Sequence, residues 1–316
     1  MAEIHDVALT AAEFDFRLRV YPAPEPTGGV LVWLHGGAFM FGTLDMPEAD
    51  QVGRRLSAAG TTVVSVDYTL APLDALDALG PPEPREGMPT PEQMKAEMDA
   101  AGPRAAYPVA SLQTVAAFDW AVQNAGRFGG SPGRVALGGA SAGGNLAAGA
   151  GVRLRDRASA DGAAAVPSAL ALVYPVLHAP LPPASEELVA LLAGLPHSLT
   201  FPPESTDAIN RNYLGGGDPR QAHAIEPYAF PGGHDMTGLA PTLIVTADRD
   251  RLRASGEAFA AELALAGVDV RLVRLRGALH GFLNELGDPA AEATLALLAD
   301  AVAGAPAALT PALSVR

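Results

Sequence analysis

Gly138-Gly139-Ala140-Ser141-Ala142-Gly143-Gly144 decides how this chain is read. Before it stands Arg134-Val135-Ala136-Leu137, a short apolar run with the character of a buried strand. After it, Asn145-Leu146-Ala147-Ala148 opens an alanine-rich run that favours helix. Gly139-x-Ser141-x-Gly143 therefore falls at a strand-to-helix turn, the setting in which a serine is pushed out above a sheet. On so tight a turn, a Cβ two positions to either side of the serine would collide with the neighbouring strand or helix. The same turn aims the first amides of the following helix at the hydroxyl. Alone, the motif is weak: with 34 glycines in 316 residues, it arises by chance in on the order of one such sequence in ten.

Outward from the turn, the chain alternates between apolar runs and helical patterns. Val30–Leu34, Thr62–Val66, Val135–Leu137, Leu170–Val173 and Leu243–Val245 are continuous apolar runs, as expected of strands buried on both faces of a parallel sheet. Glu13–Tyr21 and Val270–Leu275 alternate, as edge strands do. Helical segments are expected at Pro47–Ala59, Val109–Arg127, Asn145–Arg157, Leu252–Ala266 and Pro289–Ala303. The pattern predicts a doubly wound α/β sheet.

Two stretches interrupt it. Leu73–Ala106 is rich in proline and acid, with a helix expected from Thr90-Pro91-Glu92-Gln93, where Thr90 is the N-cap and Gln93 closes a capping box. His178–Leu239 is rich in proline, with helices expected near Glu186–Leu195 and Thr206–Leu214. The core is thus assigned to 1–72, 107–177 and 239–305. Residues 73–106 form one insertion, 178–238 a cap or lid, and 306–316 a frayed tail.

Composition narrows the function. A net charge of −14 and a single lysine, Lys95, argue against nucleic acid or anionic membranes as partners. The absence of cysteine excludes disulfides, thiolate catalysis and cysteine metal sites. The seven histidines form no metal-ligand spacing, so no metal or other cofactor is expected. Met1–Asp6 has no signal-peptide character, and no apolar run approaches the roughly 18 residues of a membrane span. A soluble, cytoplasmic protein is the expectation.

In a parallel sheet the carboxyl ends of the strands share one edge, where ligands bind. His35-Gly36-Gly37-Ala38-Phe39, Ser141, Thr246-Ala247-Asp248-Arg249-Asp250 and Gly277-Ala278-Leu279-His280-Gly281-Phe282 all follow strands and meet at that edge. A glycine loop, a serine, two candidate acids and a histidine converge there, in the chain order Ser…Asp…His.

These stretches resemble the hormone-sensitive-lipase family of α/β-hydrolases, carboxylesterases with an H-G-G-G-[FW] loop upstream of a G-[DE]-S-A-G-G elbow. Val66-Asp67-Tyr68-Thr69-Leu70-Ala71-Pro72 is similar to the family's V-D-Y-R-L-A-P, and Thr246-Ala247 with Asp250, Leu252-Arg253 and Gly256 to its T-A-x-x-D-P-L-R-D-E-G. The ordered matches run from about Gly29 to Phe282. The resemblance implies an α/β-hydrolase fold with a cap built from insertions, and a carboxylesterase acting on short- to medium-chain acyl esters. It implies Ser141 as nucleophile, His280 as general base and Asp250 as its orienting acid, with Asp248 the rival. It further implies an oxyanion hole from the amides of Gly37, Ala38 and Ala142; His35 is read as an anchor of the glycine loop, with a second base as the alternative.

The chain departs from the family at several points. Ala140 stands where an acid usually precedes the serine, so one buried acid is missing beside the elbow. Arg251 replaces a proline, and Ala254-Ser255 replaces Asp-Glu. Family members usually carry some tens of residues of helical cap ahead of the first strand, whereas here a strand is expected from near Glu13. The 73–106 insertion, with Met88, Met94 and Met98, either replaces that cap or docks elsewhere. An amide, carbamate or lactone hydrolase would use the same triad. A small-molecule receptor on this fold would lack the catalytic histidine, and a serine peptidase of the prolyl-oligopeptidase type would lack the glycine loop. The expected partner is a small ester, with a homodimer as an open expectation.

Overall fold

A computed structural model describes residues 3–80, 96, 98, 102–216 and 226–304. The helix expected from Thr90, Met88, Met94, His223 and the tail from 306 lie outside the described residues. Among those described, eight strands form one sheet in the order β1-β2-β4-β3-β5-β6-β7-β8. They are β1 (His5–Ala11), β2 (Phe14–Tyr21), β3 (Val30–Leu34), β4 (Thr62–Asp67), β5 (Val135–Ala140), β6 (Leu170–Val173), β7 (Thr242–Arg249) and β8 (Val270–Leu279). β1, β2 and β4 pair antiparallel, and every other neighbouring pair is parallel. This is the α/β-hydrolase architecture that the alternating pattern and the resemblance imply.

The continuous apolar runs are explained by burial on both sides. Val30, Val32 and Leu34 of β3 face one cluster together with Leu137, Leu172 and Ile244. Leu31 and Trp33 face the other, with Ala136, Val173 and Val245. Helices α1 (Pro47–Ala58) and α8 (Pro289–Ala303) cover the second face through Val52, Leu56, Leu295 and Leu298. Helices α2 (Val109–Asn124), α3 (Ala142–Ala160) and α7 (Arg253–Leu265) cover the first, through Phe118, Leu146, Val152, Phe259 and Leu263. Each such side chain, fully buried, contributes about 1.5–3 kcal/mol. Between β6 and β7 run α4 (Glu186–Leu192), α5 (His197–Thr200) and α6 (Pro203–Tyr213).

Three boundaries differ from expectation, each for a local reason. β1 precedes the strand expected to be first. It is an edge strand, largely exposed, and its hairpin turns on Ala12 and Glu13 at φ 51° and 67°. Such left-handed turns ordinarily advertise themselves as Asn-Gly or Asp-Gly, so the sequence carries no turn signal here. β7 continues to Arg249 and β8 to Leu279, past the apolar runs. Their pairing shifts register between Ala247 and Arg249, so that Arg249 faces Leu279. This irregularity places Asp250 and His280 side by side just beyond the last paired residues.

Candidate active site

The turn at Ser141 is as tight as its glycines suggest. Ser141 has φ 54° and ψ −117°, a conformation L-residues rarely adopt, and it caps α3. A Cβ on Gly139 would overlap the Gly143 backbone, and one on Gly143 would overlap the carbonyl oxygens of Leu34 and His35. Helix α3 thus rests directly on the end of β3, whose next residues open the glycine loop.

The structure brings Ser141, His280 and Asp250 into one chain of hydrogen bonds. Ser141 Oγ lies 3.0 Å from His280 Nε2, and His280 Nδ1 lies 2.8 Å from Asp250 Oδ2. Asp250 is fully buried, and its other oxygen accepts the Leu252 amide at 2.9 Å. Because the carboxylate can only accept, Nδ1 carries the proton and Nε2 is free to accept the Ser141 hydroxyl. Burial disfavours the charged imidazolium, yet the Asp250 carboxylate and its hydrogen bond, with Glu48 beyond, outweigh burial and hold the His280 pKa above its usual 6.5. Tyr174 lies against one side of the His280 ring at 4.8 Å between centroids, and Phe201 stands edge-on at 4.7 Å.

Asp248, the rival acid, is engaged elsewhere. It accepts from Arg253 Nη1 at 3.3 Å and from the Gly277 amide at 3.1 Å. Arg253 is itself buried and also bonds Glu187 at 3.1 Å, so Asp248 serves an ionic knot behind β7.

The glycine loop holds three successive residues at positive φ: Gly37 at 118°, Ala38 at 50° and Phe39 at 63°. Gly37 is required, since a Cβ there would overlap the Phe41 carbonyl, while its own carbonyl accepts the Met40 and Phe41 amides at 2.9 and 3.0 Å. Among the described residues no protein acceptor takes the amides of Gly37, Ala38 or Ala142. His35 is buried, donates Nδ1–H to the Gly36 carbonyl at 2.7 Å and stacks on Tyr68. Burial pushes its pKa down, against the pull of nearby carboxylates.

One residue escaped sequence reasoning. Glu48, in the first turn of α1, is buried and lines the same cavity. One of its oxygens accepts the Gly36 amide. The other accepts the Tyr174 hydroxyl at 2.5 Å and the Asn284 amide at 3.4 Å. In sequence it reads as an ordinary acid at a helix N-terminus; only the fold turns it inward.

A cavity of about 750 Å³ opens over Ser141, floored by Gly37, Ala38, Ala142 and His280. Leu76, Leu79 and Met98 of the first inserted stretch form part of its wall, and Phe201, Thr206 and Ile209 of the second form another part. The arrangement sets a serine hydroxyl, an imidazole and a carboxylate in line, beside amides that no described residue accepts, in a largely apolar chamber of the size that holds small molecules. Among the described residues, no helix is long and apolar enough to cross a membrane.

Comparison with known proteins agrees with this geometry. A family model described as the alpha/beta hydrolase fold, Abhydrolase_3, matches residues 31–79 and 100–284. The carboxylic ester hydrolase LipN of Mycobacterium tuberculosis is 32% identical over 306 residues, covering 94% of this chain and 69% of LipN. The carboxylesterase NlhH of the same organism is 30% identical over 273 residues, 85% of this chain and 72% of NlhH. The crystal structure of EstE1, a thermostable carboxylesterase from a metagenomic library, superposes with a TM-score of 0.73 at 30% identity, covering 96% of this chain and 88% of EstE1. The chain belongs to this α/β-hydrolase family, among its hormone-sensitive-lipase-like carboxylesterases.

Proposed function

We propose that this protein hydrolyses short- to medium-chain acyl esters through an acyl-enzyme on Ser141. The observation that carries the reading is the unbroken relay from Ser141 Oγ through His280 to Asp250 beneath a cavity, beside amides that no described residue accepts. As Ser141 attacks the ester carbonyl, His280 Nε2 takes its proton. The charge developing on the carbonyl oxygen meets the amides of Gly37, Ala38 and Ala142. Asp250 stabilises the imidazolium, which then protonates the leaving alcohol. Water attacks the acyl-enzyme by the same proton path in reverse. A receptor reading has no use for a base aligned on the serine.

The insertion at 73–106 acts, in this reading, as part of the cap, supported by Leu76, Leu79 and Met98 in the cavity wall. The apolar wall favours plain acyl chains over charged ones. Hydrolysis of p-nitrophenyl esters from acetate to decanoate, with Ser141→Ala as control, tests both parts. Activity that vanishes in the variant and peaks at short to medium chains is the expected result. A rate surviving in Ser141→Ala would overturn the mechanism. Shortening the 73–106 loop without changing the chain-length profile would remove it from the cap.

A further inference from the structure

We infer that Glu48 is a positioning residue of the active site, acting on both the glycine loop and His280. The inference rests on the esterase reading above.

The first contact concerns the loop. The Gly36 N–H donates to one Glu48 oxygen, which fixes the peptide immediately ahead of the Gly37 and Ala38 amides. Turned the other way, the Gly36 peptide would carry the following left-handed residues with it, and the amides would leave the carbonyl they are meant to receive. The second contact reaches the base. The Tyr174 hydroxyl donates to the other oxygen, and the Tyr174 ring lies against His280 on one side and Phe282 on another. Asn284 donates to the same oxygen, while its carbonyl accepts the Glu48 backbone amide at 3.2 Å. Glu48 is therefore tied to the segment that follows His280 as well as to the loop across from it. The indole of Trp33 donates to the Glu48 carbonyl at 3.0 Å, so its backbone is pinned too.

A carboxylate buried to this degree and bonded to two elements of a reaction centre has an energetic role in both. Its charge favours the imidazolium that forms on His280 when Ser141 attacks. The titratable groups around that ring are Asp250 beyond β7, Tyr174 beyond β6 and Glu48 on α1, with His35 on the far side of Glu48. Of these, Asp250 already orients the ring, and Glu48 adds a second negative charge that touches no ring nitrogen.

Two variants separate the functions. Glu48→Gln keeps the shape and an acceptor for Gly36 but removes the charge. It is expected to move the acidic limb of the kcat/KM profile to lower pH and to lower kcat several-fold, leaving KM within about twofold. Glu48→Ala also frees the Gly36 peptide. It is expected to lose roughly 10²–10³ in kcat, the loss that follows removal of an oxyanion-hole donor, and to weaken inhibition by a trifluoromethyl ketone in parallel. If the acidic limb of Glu48→Gln stays in place, and Glu48→Ala lowers thermal stability while kcat and ketone affinity hold, Glu48 is a packing residue and the inference fails. Ser141→Ala, run alongside, keeps the two readings apart. Its inactivity with unmoved Glu48 variants refutes this inference alone, whereas retained activity refutes the esterase mechanism beneath it.

Discussion

Among the described residues stand two Ser–His–acid relays, and one of them opens onto the cavity. In the first, Ser141, His280 and Asp250 are linked at 3.0 and 2.8 Å. In the second, Ser255 Oγ lies 2.8 Å from His178 Nδ1, and His178 Nε2 lies 3.0 Å from Glu262 Oε1. By residue type and distance the two are nearly interchangeable. They differ in what surrounds the serine. Ser255 is fully buried, and its oxygen already accepts the Leu177 and His178 amides at 2.9 and 3.1 Å. Gly232 closes over the His178 ring, and neither residue belongs to the cavity wall. Ser141 stands on a strained turn at the floor of the cavity, beside amides that no described residue accepts. A relay becomes a reaction centre through an accessible nucleophile and a place for the oxyanion; the hydrogen bonds alone make a brace.

That contrast can be broken at its strongest point first. Ser141→Ala or His280→Ala should lower kcat by on the order of 10⁶, with a melting temperature close to that of the parent, read by ester hydrolysis and circular dichroism. Asp250→Asn should cost about 10⁴ in kcat, because the amide presents the wrong partner to Nδ1–H. Asp248→Asn should change kcat far less and lower stability instead, since Asp248 faces Arg253. Equal losses in the two variants would mean the acid had been misassigned.

A pH profile sharpens the comparison further. The imidazolium cannot accept the Ser141 proton, so kcat/KM should rise with pH through a midpoint above 6.5, falling about tenfold per unit below it. The stability contribution runs the other way. A folded pKa above the unfolded one stabilises the native state fully below about 6.5, and that gain is lost as pH rises through the folded value. Ser255→Ala should do the opposite of Ser141→Ala: kcat within about threefold of the parent, and stability lower by about 1–3 kcal/mol in urea unfolding, because two buried amides lose their acceptor. The smallest effect expected is that of Ala38→Gly. Relief of the left-handed alanine, worth about 1–2 kcal/mol, is offset in part by the entropy of the added glycine, leaving a gain below about 1 kcal/mol and an unchanged chain-length profile.

Much of this site was legible from the chain because its parts are local. The Ser141 turn, the glycine loop and His280 each announce themselves within about seven residues, and strand order then gathers them at one edge. What could not be read depends on long-range contact. Glu48 meets Gly36 twelve positions away and Asn284 236 positions away, and nothing in Met46-Pro47-Glu48-Ala49 marks it as inward-facing. Ser255 looked like a gap in the family pattern, yet its hydroxyl ties α7 to the exit of β6. The β1 hairpin went unseen because Ala12-Glu13 adopts a turn that its side chains do not favour.

The contact of Gly139 and Gly143 with the ends of β3 and α3 bears on how freely such a protein can drift. At these two glycines the serine turn and the end of β3 meet main chain to main chain. Substitutions on the outer sheet, or on the helices away from Glu48, leave that contact untouched, whereas any side chain at either glycine destroys it. Tolerance to mutation across the rest of the fold can be wide because intolerance is concentrated in a few hydrogen-sized gaps.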